Sequence, residues 1–99
     1  MSDNSDQVYD IISGSFELEK VNEITIEQIQ KVLTARIREM LDKNLEKLLH
    51  VLYRIDVSQK KTDKIFNSPF KDEIAENLAA AVIERQLEKI ETRKKYSRK

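Results

Sequence analysis

Residues able to do chemistry are few in this chain, and the most suggestive pair is His50 with Glu46 four positions before it. On a helix that spacing puts an imidazole and a carboxylate on one face, where they could offer two ligands to a divalent metal ion. A zinc site asks for three or four protein ligands, and a di-iron bundle for carboxylates from several helices with Glu-x-x-His repeats. The chain has one histidine and no cysteine, so the pair reads as a surface ion pair or hydrogen bond and no metal or other cofactor is expected. Glu73 with Glu76, and Glu84 with Glu88, have the spacing of acid–base partners, but in a sequence that is 36% charged they read as solvated helix faces. One glycine cannot build a phosphate loop, a nucleophile elbow or a dinucleotide fingerprint. The expectation is a protein without catalytic residues, not an enzyme, and without a small-molecule substrate.

Two further groups of residues suggest binding. Arg93, Lys94, Lys95, Arg98 and Lys99 surround Tyr96 at the C-terminus, a combination that can neutralise phosphates while the ring stacks on a base. The alternative is a helix end whose cations complement the dipole. Tyr53, Arg54 and Asp56 sit together and suit either a recognition site or a helix terminus with a half-buried tyrosine and a local Arg–Asp pair. Opposite the basic end, the first 24 residues hold Asp3, Asp6, Asp10, Glu17, Glu19 and Glu23 against Lys20 alone. These ends can steer packing, but exposed pairs contribute only ~0–1 kcal/mol each.

Overall, 18 basic and 18 acidic residues cancel, so nothing draws the whole chain to a polyanion or an acidic membrane. The absence of cysteine excludes disulfide scaffolds and thiolate chemistry and fits a reducing compartment. No apolar run approaches the ~18–20 residues that span a bilayer, and the start is acidic rather than basic then apolar, so a cytoplasmic location without membrane attachment is expected.

The elements that must position these residues are helical. Thr25, followed by Gln28, forms a capping box ahead of a stripe made by Ile26, Ile29, Leu33, Ile37, Met40, Leu41, Leu48, Leu52 and Ile55. That phase coherence predicts one helix over 25–56, with a possible break at 42–44 where Asn44 falls in mid-stripe. A polar connector over 57–68 has room for a short helix started by Ser58. Ser68 and Pro69 then predict a helix over 69–96, with Asp72 and Glu73 in its first turn and its cations at the end. The acidic segment 1–24 predicts a short helix, interrupted where Ser13-Gly14-Ser15 reads as a breaker and Phe16-Glu17-Leu18 alternates like a strand.

The expected fold is therefore all-α and a single domain over 1–99. Two long helices form an elongated antiparallel hairpin, with a short N-terminal helix beside it and a bundle on dimerisation. On the second long helix Phe70, Ile74, Leu78 and Ala81 share one side, while Ile83, Leu87 and Ile90 lie nearly opposite at 100° per residue. That second face is expected to meet another chain or the N-terminal segment. The function expected from this pattern is protein–protein association, as a homodimer or as a small subunit with a heterologous partner. Nucleic-acid binding through the basic tail is the alternative.

Overall fold

Residues 5–19 and 24–97 are described in a computed structural model, and they form five helices with no strand among them. In chain order these are α1 (Ser5–Phe16), α2 (Ile26–Lys43), α3 (Leu45–Arg54), α4 (Gln59–Phe66) and α5 (Lys71–Ser97).

The helix α1 runs straight through Ser13-Gly14-Ser15, against the expectation of a break there. Val8, Ile12 and Phe16 recur on one face and are fully buried, and burying three such side chains at about 1.5–3 kcal/mol each outweighs the ~1 kcal/mol that a helical glycine costs. Ser13 hydrogen-bonds back to the Asp10 carbonyl, which keeps its hydroxyl satisfied inside the helix. The helix ends in a Schellman-type turn with Glu17 in the left-handed region, φ 58°, and the Leu18 N–H on the Ser13 carbonyl. Tyr9 OH donates to the Glu19 carbonyl just beyond this turn.

The helix α2 begins with the expected capping box. Gln28 N–H donates to Thr25 Oγ1 at 3.1 Å, and Thr25 N–H donates to Gln28 Oε1 at 2.9 Å. Its buried face is Ile29, Leu33, Ile37 and Met40.

At Asn44 the backbone leaves the helical region (φ −154°, ψ 57°), so one helix over 25–56 does not form. The break turns the chain. Asp42, at the end of α2, pairs with Lys71 at the start of α5, and Arg38, one turn earlier, pairs with Asp72, so α2 and α5 run antiparallel. Asp56, just past α3, pairs with Arg85, about 20 Å further along α5. A straight continuation of α2 would carry Asp56 about 20 Å past the start of α5 on the other side. The segment after Asn44 therefore travels back along α5, and the expected hairpin of two long helices is replaced by a folded-back path.

The return at the end of α3 is another Schellman turn, with Asp56 at φ 69°, Val57 N–H on the Leu52 carbonyl and Asp56 N–H on the Tyr53 carbonyl. Arg85 grips this turn through both the Asp56 carboxylate and its backbone carbonyl, and Lys89 Nζ donates to the Ile55 carbonyl. The connector over 57–68 then contains α4, capped by Ser58 as expected and tied to α5 by Lys61–Glu84. Ser68 Oγ accepts from the Phe70 N–H, and α5 starts at Lys71, two residues after Pro69.

The core joins all five helices. Ala75, Leu78, Ala79 and Val82 of α5 are fully buried, and the small alanines let a neighbouring helix approach closely. The radius of gyration is 13.6 Å, close to the ~13 Å of a compact chain of this length, with principal extents of 45 × 29 × 19 Å. The long dimension matches the roughly 40 Å length of α5.

Candidate functional site

The helices α3 and α4 lean together around the Asp56 turn and leave an apolar groove of 370 Å³ between them, lined by Leu45, Leu49, Leu52, Tyr53, Val57, Gln59, Thr62, Asp63 and Phe66. Its floor is made by Leu52 and Val57, the two residues that close the Schellman turn and are buried. Its wall is exposed: Tyr53 is 82% accessible, Leu45 45% and Leu49 44%. Phe70, also exposed at 65%, follows α4 at the entry to α5. Leu45, Leu49 and Tyr53 repeat every four residues, so they form one stripe along α3.

The sequence stripe omits Leu45 and Leu49. They are the signal that sequence reasoning left unused, because an unbroken helix with its core face fixed by Leu48 and Leu52 has no role for two more leucines off that face. Tyr53 differs from the expected half-buried edge residue by being almost fully exposed. Asp56 pairs with Arg85 on α5 and not with its neighbour Arg54. That guanidinium, with Lys89 nearby, holds the Asp56 carboxyl below its usual range.

A second, polar groove of 660 Å³ runs between α1 and α3, lined by Ile11, Gly14, Ser15, Glu17, Asn44, Glu46, Lys47, His50, Val51 and Arg54. Glu46 and His50 both reach it, but no group of three or more metal-ligating side chains gathers among the described residues. Across this groove Lys47 donates to Glu17 at 2.8 Å, and Arg36 reaches the same carboxylate at 3.1 Å while its Nε donates to the Phe16 carbonyl. The hydrogen bond and charge of Lys47, followed by those of Arg36, hold the Glu17 carboxyl below its ordinary value. Glu17 thus finds cations on α2 and α3.

Ile83 and Ile90 are buried within the single chain at 5% and 2% exposure, and Leu87 is half-buried against the core. The chain itself covers this face; among the described residues three of the exposed large apolar side chains, Leu45, Leu49 and Tyr53, lie on α3, and Val32 on α2 and Phe70 ahead of α5 are the others. Arg93 is exposed near the end of α5, whose backbone continues through Lys94, Lys95 and Tyr96; Arg98 and Lys99 lie outside the described residues, as do Asp3, Lys20 and Glu23. The carboxylate pairs of α5 are separated in role: Glu73 accepts from Ser68 Oγ, Glu84 pairs with Lys61 and Glu88 with Arg85. No described helix is long and apolar enough to cross a membrane. No family model matches the chain, and neither a curated protein nor a solved structure matches it.

Proposed function

We propose that this chain works by protein–protein association, and that the surface it uses is the exposed α3 stripe with the groove beside α4. The observation that carries this reading is the exposure of Leu45, Leu49 and Tyr53 along one helix, bordering an apolar groove, in a chain whose other large apolar side chains are mostly buried. An exposed apolar stripe beside a groove with a buried floor suits the docking of an amphipathic helix, and Tyr53 is of the residue type that anchors such contacts. Asp63 and Gln59 at its edge supply a polar rim.

The test is the native mass of the tagged chain, read both in purified form and in an extract of the cells that make it. A mass above that of one chain in either setting, reduced to one chain by Leu49→Glu with unchanged helical circular dichroism, supports the proposal. A mass that Leu49→Glu and Tyr53→Glu leave unaltered, or one of a single chain in both settings, overturns it.

A further inference from the structure

We infer that the occupant of the α3 face is a second copy of this chain, whose own α3 lies antiparallel across the first about a two-fold axis at Leu49. The inference rests on the association reading above and names its partner.

The stripe is its own complement. Reversing α3 about Leu49 brings Leu49 onto Leu49 of the partner subunit and sets Leu45 against Tyr53 of the partner subunit, so three apolar positions are matched by one operation.

Charge selects the direction. On the flank next to the stripe, Glu46 stands in the first turn of α3 and Arg54 in the last, with His50 between them. None of these three side chains has a hydrogen bond or ion pair with any described residue, whereas Lys47 beside them is bonded to Glu17. In an antiparallel pair this flank meets its own reverse, so Glu46 comes beside Arg54 of the partner subunit and Arg54 beside Glu46 of the partner subunit. The helix dipoles also oppose one another in this arrangement. A parallel pair sets each charge level with its own kind. The contact is about 12 Å long on α3, which places it among small interfaces, and the dimer dissociates on dilution.

Because the chain has no cysteine, single introduced thiols report the geometry directly. Under mild oxidation Leu49→Cys is expected to give a covalent dimer, and Leu45→Cys to link to Tyr53→Cys when the two are mixed but not to itself. Light scattering over an about thousandfold concentration range is expected to show the mass rising from one chain to two. Glu46→Arg or Arg54→Glu alone should weaken this by about tenfold or more, and the double variant should recover it. A purified chain that stays at single-chain mass throughout, a Leu49→Cys variant that does not cross-link, or a charge-reversed double variant no better than either single one overturns the self-pairing. If the chain is monomeric when pure but sits in a Leu49-sensitive complex in extract, the association reading stands and only the second-copy assignment falls.

Discussion

Gln86 is buried at 2% exposure on α5, and its Nε2 has no hydrogen-bond partner among the described residues. A buried amide donor left unmet costs about 1–3 kcal/mol, and an apolar side chain of similar shape carries no such penalty. Gln86→Met is therefore expected to raise stability by about 1 kcal/mol or more in chemical denaturation; a loss would show that the amide has a partner when folded. At the same scale, three carboxyls titrate below their ordinary range: Glu17 beside Lys47 and Arg36, Asp42 beside Lys71 and Arg38, and Asp56 beside Arg85 and Lys89. Since the unfolded chain takes up these protons first, their contribution is fully present above the usual carboxylate value of about 4 and is lost as pH falls through the acid range. Melting temperature should thus be flat near neutrality and fall on acidification, and Asp56→Asn should flatten part of that fall. A profile identical to the parent's would separate Asp56 from the effect. Only Arg38–Asp42 has the i,i+4 spacing of a local helix pair; the others do not follow from sequence spacing, because Lys71 lies 29 residues from Asp42 and the partners of Asp56 and Glu17 lie 29 and 19 or 30 residues away.

Among the elements, capped starts were legible, the break at Asn44 was legible only as an alternative at 42–44, and the left-handed turns at Glu17 and Asp56 were not legible. Thr25 with Gln28, and Ser58 ahead of α4, announce themselves because the bonds are local: a hydroxyl and a free N–H three residues apart. The contrast with Asn44 makes a test. Thr25 accepts a capping bond, so Thr25→Ala should cost about 1 kcal/mol, whereas Asn44 makes no side-chain cap bond and Asn44→Ala should cost much less. Equal losses would show that Asn44 holds the bend through its side chain. The bend escaped the hydrophobic period because bonding carries on around it: Asn44 N–H still reaches the Met40 carbonyl and Leu48 N–H still reaches the Asn44 carbonyl. One residue changes direction while the stripe keeps its phase. The N-terminal helix forms as expected, but the break expected at Ser13-Gly14-Ser15 does not, since that run is locally unfavourable to helix and the burial of Val8, Ile12 and Phe16 overrides it. Phe16→Ala should accordingly be severe, about 3–5 kcal/mol by denaturant unfolding, and a mild effect would mean that α1 contributes little to the core.

At the scale of the whole molecule, the all-helical class follows from composition and period, while the arrangement follows from tertiary pairing. An uninterrupted hairpin leaves Ile83, Leu87 and Ile90 to be covered by the N-terminal segment or by another chain. The turn at Asn44 brings the chain back along α5, ties α4 beside Glu84, and supplies cover from within. The same turn moves the uncovered apolar surface to α3, where Leu45 and Leu49 become visible as a site only once the path is known. Cross-helix ion pairs such as Arg38–Asp72 and Lys61–Glu84 join exposed partners, so each contributes little and is screened. Raising salt to about 1 M should change the melting temperature little, and a large drop would show that these pairs act as a network.

The folded-back path also sets an order of assembly. The helices α3, α4 and α5 follow one another through short turns, and their ties, Asp56 to Arg85 and Lys61 to Glu84, close loops of moderate length. The end of α2 reaches α5 over the same 29 residues, Asp42 to Lys71, whereas the start of α2 closes a longer loop, as the Gln30 side chain bonds the Glu76 carbonyl 46 residues away. Loop closure grows more costly with length, and local pairing is faster. The C-terminal three helices and the end of α2 are therefore expected to associate first, with the start of α2 and then α1 condensing on α5 later. In pulse-labelled hydrogen exchange, amides of α5 should gain protection ahead of those of α1.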